Sequence, residues 1–127
     1  MSLIDDFKGI VSPFLNSIKE AFRAFIEKVK GIVETFIAKI VEFKTQIVDW
    51  FKQQKLKKGR DIPFLTTKQE FRDWIKNAPR KNIGLGLIEG VYDEQTDEIT
   101  DLRYISADEY DEKTKEVLGN DELVVLT

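Results

Sequence analysis

An α+β protein in two parts is predicted by three observations. The first 57 residues carry apolar positions at helical spacing with hardly a turn signal among them. From Thr67 onward, short apolar runs alternate with turn and cap signals. The charge also changes sign: residues 1–58 hold 11 Lys/Arg and 7 Asp/Glu, whereas residues 59–127 hold 9 and 16. Opposite signs point to two modules with different surroundings.

The first module, residues 1–58, contains the seam Phe7, Val11, Phe14, Ile18, Phe22, Phe25, Val29, Ile32, Phe36, Ile40, Phe43, Ile47 and Trp50. Its steps average about 3.6 residues, the helical period. A second file (Ile10, Leu15, Ile26, Val33, Ile37, Val48, Phe51) widens it. Ser12 can cap a helix and Pro13 suits its first position, leaving residues 3–11 as a short separate helix. No strong stop follows before Lys57. Gly31 costs about 1 kcal/mol in a helix interior, and no Pro, Asn or Asp accompanies it. The expectation is one amphipathic helix of about 45 residues, some 68 Å long at roughly 1.5 Å per residue, with a helical hairpin at Gly31 as the alternative. The run Lys8-Gly9-Ile10-Val11 returns as Lys30-Gly31-Ile32-Val33, 22 residues later. Two elevens give about 3.67 residues per turn, so the apolar face drifts little.

Such a face needs a cover. A folded remainder about 28 Å across cannot supply it. Self-association in a bundle or thick coiled coil is therefore expected, through Phe14, Ile18, Phe22, Phe25, Val29, Ile32, Phe36, Ile40, Phe43, Ile47 and Trp50. A membrane surface is the second candidate. Phe and Trp on the apolar face and Lys52, Lys55, Lys57 and Lys58 suit an interfacial helix, but Glu20, Glu27, Glu34, Glu42 and Asp49 dilute attraction to anionic lipid. The lysine cluster is a weak nucleic-acid signal. No stacking aromatic follows at useful spacing, and the acidic second half repels phosphate.

Gly59 and Pro63 mark residues 59–64 as a linker. The second module, residues 65–127, is read as α-β-β-α-β. Thr67-Lys68-Gln69-Glu70 has the capping-box pattern, and the helix behind it carries Phe71, Trp74, Ile75 and Ala78 before Pro79. Residues 83–92 and 98–105 read as strands joined by the polar turn 93–97. Ser106 or Asp108 starts a helix over 108–118 that turns Tyr110, Val117 and Leu118 inward, Gly119-Asn120 ends it, and Leu123–Leu126 is a last strand. These elements predict a three-stranded antiparallel sheet in the order 3-1-2 with helices on one face.

Composition removes several chemistries. The chain has no Cys and no His, so Cys/His metal sites, Ser–His and Cys–His nucleophiles and histidine switches are excluded. Asp5 and Asp6 stand where a secretory signal would be basic, and no run of 18 apolar residues occurs, so a cytoplasmic protein is expected. Gly84, Gly86 and Gly90 imitate part of a dinucleotide fingerprint. They lie within a strand with no helix behind them, which instead marks a close approach by another backbone or a bulky side chain. The acidic set Asp93, Glu94, Asp97, Glu98 and Asp101 lacks the glycine and spacing of a calcium loop. Glu89 is the one acid inside an apolar strand. Burial would raise its pKa, but pairing with Arg103 on the neighbouring strand explains it better than catalysis. The function expected is a non-catalytic interaction or scaffold protein, a homo-oligomer without cofactor, metal or small-molecule substrate. The set Asp93, Glu94, Asp97, Glu98 and Asp101 would face a protein partner, or neutralise a basic one.

Overall fold

The computed structural model describes residues 10–11, 15–77, 85–119 and 123–126. In chain order the elements are β1 (Ile10–Val11), α1 (Leu15–Val29), β2 (Glu34–Val41), a π-helical turn (Phe43–Val48) running into α2 (Asp49–Gln53), β3 (Asp61–Thr66), α3 (Gln69–Asp73), β4 (Leu85–Asp93), β5 (Glu98–Tyr110), α4 (Glu112–Leu118) and β6 (Leu123–Val125). The class is α+β. Five strands form a mixed sheet in the order β6-β3-β4-β5-β2, and the two-residue β1 pairs outside β6. Among the described residues only β2 with β5 is parallel.

The long helix is not formed. Helix α1 stops at Val29 because Lys30 (φ 58°) and Gly31 (φ 78°) enter the left-handed region. Gly31 N donates to Ile26 O at 2.8 Å and Lys30 N to Glu27 O at 3.3 Å, the paired bonds of a Schellman cap. The chain does turn at Gly31, but it leaves as a strand rather than as the second arm of a helical hairpin. Val33, Thr35, Ile37, Ile40 and Val41 are β-branched, which favours a pleated strand over a helix. Apolar residues that fit helical spacing there also serve both faces of β2. Phe14 and the expected helix start at Ser12-Pro13 lie outside the described residues.

The expected linker 59–64 is largely β3, which pairs antiparallel with β4 on one side and β6 on the other. Pro63 argues against an inner strand, and the register explains its tolerance. Strand β6 pairs only with Phe64, Leu65 and Thr66, so the missing N–H falls beyond the end of that ladder. The Pro63 carbonyl still accepts from Leu126 N at 2.8 Å. The three-stranded order 3-1-2 is thereby corrected: β3 occupies the place beside β4 that was expected for the last strand.

Helices cover both faces rather than one. Against the first face, Ile47 and Phe51 from the π-turn and α2, with Leu118 of α4, pack on Leu65, Leu87 and Ile105. Against the second, Ile18 and Phe22 of α1 and Phe71 of α3 pack on Phe64, Ile88 and Tyr104. The Phe22 and Phe71 rings stack with centroids 4.8 Å apart. Each such fully buried side chain contributes about 1.5–3 kcal/mol. The expected helix over 108–118 begins later, because β5 runs on to Tyr110 and Asp111 caps α4 by accepting from Thr114 N at 2.8 Å. The helix expected from Thr67 to Ala78 is confined to α3, and its capping box is not made. Lys68 precedes it with no side-chain cap, while Thr66 Oγ1 accepts from Lys68 N at 3.1 Å. Ala78 and Pro79 are outside the described residues. Among the described residues no helix is long and apolar enough to cross a membrane.

Candidate functional site: the open edge of β2

Strand β2 closes one end of the sheet, and among the described residues no strand lies beyond it. Its sequence, Glu34-Thr35-Phe36-Ile37-Ala38-Lys39-Ile40-Val41, holds one acid, one base, no Pro and no Gly. Edge strands normally carry several charges, a proline or a bulge against unwanted pairing. Here Lys39 is the only base on the strand. Large apolar side chains are left in solvent: Ile37 is 68% exposed, Ile32 58%, Ile40 38% and Phe36 37%.

The strand is held firmly from its other side. At its start, Asn77 grips the backbone of Val33 twice: Val33 N donates to Asn77 Oδ1 at 3.0 Å, and Asn77 Nδ2 donates to Val33 O at 2.8 Å. Lys76 N adds a bond to Gly31 O at 2.9 Å. At its end, Asp111 N donates to Val41 O at 2.9 Å, and Asp111 Oδ2 accepts from Phe43 N at 3.0 Å. Burial pushes the Asp111 carboxyl up, but the nearby Thr114 side chain and hydrogen bonds from the Thr114 and Phe43 amides outweigh it and hold the pKa below the usual value.

In the middle, Arg103 of β5 anchors the strand. Its guanidinium carbon lies 5.3 Å from the Phe36 ring centroid and 5.2 Å from that of Trp50, so it bridges two aromatic faces. The same group donates to Gln46 O at 3.1 Å and pairs with Glu89 on β4, where Arg103 Nε donates to Glu89 Oε1 at 3.0 Å. Glu89 is fully buried and its Oε2 has no hydrogen-bond partner among the described residues. Burial raises its pKa to about 8, against the lowering influence of Arg103 and with a further push from the charge of Glu34. The pairing expected of Glu89 is thus present, and its carboxylate is fully enclosed.

The seam residues are divided by this arrangement. Ile18, Phe22, Phe43, Ile47 and Trp50 are buried within the chain's own core, and Phe25 and Val29 are partly covered against it. Ile32, Phe36 and Ile40 remain at the surface, joined by Ile37. The acidic set is not one uniform surface. Asp93 is buried and its Oδ1 accepts from Gln95 N at 2.8 Å and Thr96 N at 3.2 Å. Asp97 turns the hairpin with φ 60° and accepts from the Tyr92 hydroxyl. Glu94 and Glu98 are exposed and Asp101 is half-buried. Among the described residues no group of three or more acidic side chains is placed to hold a metal ion. Sequence reasoning missed Asn77, Asp111 and the Phe36–Arg103–Trp50 stack. The β-branched run from Ile32 to Val41 was the signal that could have found the edge strand.

No protein-family model matches the chain, and no curated protein or solved structure is found to match it.

Proposed function

We propose that this chain is a non-catalytic interaction protein that docks a partner by strand addition at the open edge of β2. One observation carries the reading: a rigidly held, nearly uncharged edge strand displays Ile32, Phe36, Ile37 and Ile40 to solvent. Backbone groups along such an edge supply hydrogen bonds, and alternate side chains supply selectivity. An added strand would cover the apolar side chains and satisfy the outer backbone groups in one step. The contact moves from the expected helical seam to β2 because Ile18, Phe22, Phe43, Ile47 and Trp50 are engaged internally. That engagement also removes support from a helix lying on lipid. Asp93 and Asp97, bonded within their own hairpin, give little support to a continuous acidic surface for a basic partner.

A fluorescent peptide with the sequence of residues 34–41 and a short lysine tail is the direct probe. Its anisotropy should rise on titration with the full chain, and Ile37→Lys should weaken binding at least tenfold. Equal binding by the variant, or none by either protein, overturns the reading.

A further inference from the structure

The second face of the sheet holds a positive charge with no counter-charge. We propose that it binds a carboxylate, held by Arg72 of α3 and the Tyr104 hydroxyl of β5 beside Gly86 of β4. The site is independent of strand addition at β2. Of the four described arginines, three are engaged. Arg23 lies over the Trp74 ring, Arg60 pairs with Asp61 and Asp93, and Arg103 pairs with Glu89. The Arg72 guanidinium has no hydrogen-bond, ion-pair or ring partner among the described residues, and its Nε is buried. The acids of its own helix are occupied elsewhere. Glu70 pairs with Lys19 at 2.9 Å, and Asp73 Oδ1 accepts from Gln69 Nε2 at 2.7 Å. Tyr110 Oη donates to Gly86 O at 3.1 Å, and burial pushes its pKa up to about 12, so it stays neutral and gives Arg72 no charge. An orphaned buried donor points to water or an ion as its partner. Water would satisfy the hydrogen bond but not the charge, and an unpaired charge drawn out of water is destabilising.

Geometry is the second reason. A Cβ at Gly86 would lie 2.6 Å from Arg72 Nε, 2.8 Å from Arg72 Cζ and 2.3 Å from Tyr104 Oη. Nε and Oη are therefore at most 4.9 Å apart, the sum of the first and last of these distances. One oxygen about 2.9 Å from each can accept from both. Glycine within a strand marks a place where a ligand or another group comes close, and a side chain at Gly86 would drive the two donors apart. Arg72 is half-buried, which leaves it within reach of a ligand from solvent. Charge and shape select the anion. One guanidinium neutralises one carboxylate, and its planar fork matches the two oxygens. A phosphate group is mostly a dianion at neutral pH and would leave a net negative charge against the core. The carboxylate belongs either to a small acid or to the C-terminus of a peptide.

The full chain is titrated with sodium acetate at pH 7 and constant ionic strength, with sodium chloride making up the difference. The Arg72 Nε–H and the Gly86 amide are followed by NMR. Both signals should shift and saturate. The Gly86 response should vanish in Arg72→Gln and weaken at least threefold in Tyr104→Phe. Acetate should also raise the melting temperature of the unmodified chain but not that of Arg72→Gln. If Arg72→Gln does not fold, Arg72→Lys, which keeps the charge and loses the fork, should weaken binding at least threefold. Acetylated trialanine with a free or an amidated C-terminus separates the two sources. Tighter binding of the free form than of acetate supports a peptide terminus, and equal binding supports a small acid. Equal binding of the amidated form overturns the proposal. So do shifts that stay linear, that chloride alone reproduces or that persist in Arg72→Gln, and so does tighter binding of inorganic phosphate.

Discussion

Glu89 of β4 stands directly opposite Arg103 of β5, and Arg103 carries that pairing outward to the Phe36 ring of β2, 5.3 Å from its guanidinium. The sheet interior and the exposed edge therefore share one side chain. The two partners respond differently to loss of the other. A carboxyl left alone in a buried site can take up a proton, whereas a guanidinium cannot release one. In urea denaturation at pH 9, where Glu89 is ionised against Arg103, Glu89→Met should cost about 3–5 kcal/mol, the range for an orphaned buried charge, and Arg103→Met less, about 2 kcal/mol. Replacing both with Met should recover at least half of the larger loss. A larger loss for Arg103→Met than for Glu89→Met would contradict this order.

The pH dependence follows from the same pair. Glu89 has a pKa of about 8 in the folded chain against its ordinary 4.5, because burial dominates. The folded state binds the proton more tightly. Its contribution is fully present below pH 4.5 and is lost as pH rises through 8. Between pH 5 and 9 the unmodified chain should lose stability relative to Glu89→Gln, which has no proton to release. Parallel stability profiles for the two proteins would show that Glu89 does not titrate in this way.

Gly90 lies where a Cβ would come within 2.3 Å of Phe64 Cζ and 2.6 Å of its Cε1. Phe64 is fully buried in the core it shares with Phe22, Phe71 and Ile88, so its ring has little room to retreat. Gly90→Ala should destabilise by about 1–3 kcal/mol through overpacking, read as a lower urea midpoint at unchanged slope. An unchanged midpoint would mean that the ring yields freely.

Asp111 joins the cap of α4 to the end of β2. Asp111→Ala should cost about 1–2 kcal/mol. Its lowered pKa fixes the sign: the stability it contributes is present above the ordinary carboxyl pKa and is lost as pH falls through the folded value. The variant should therefore lose less than the unmodified chain on acidification below pH 4. Hydrogen exchange should also show faster opening at Val41–Phe43. Unchanged exchange there would separate the helix cap from the strand.

What the sequence revealed depended on how local each determinant was. Strands β4, β5 and β6, and helix α4 with Leu118 inward, were legible because alternation and turn residues act over a few positions. The close approach at Gly86 and Gly90 was legible too. A Cβ on Gly86 would meet Tyr104 Oη at 2.3 Å. Strand β2 was not legible from periodicity, since Phe36, Ile37, Ile40 and Val41 fit helical spacing and, as a strand, fall on both faces without alternation. Its fate rests on the left-handed Lys30-Gly31 cap and on its pairing with β5, a partner about 70 residues distant. Strand β3 was hidden by Pro63, whose tolerance depends on where the β6 ladder ends. The Glu89–Arg103 pair could be anticipated from the facing strands. Its link to Phe36 could not, because it requires the placement of β2.

The central claim is that β2 presents an edge built for another strand. The most direct measurement is the anisotropy of the labelled peptide of residues 34–41 titrated with the unmodified chain and with Ile37→Lys. The account predicts saturable binding by the unmodified chain and at least tenfold weaker binding by Ile37→Lys, with little change in melting temperature because Ile37 is exposed. No binding by the unmodified chain, or equal binding by the variant, would contradict it.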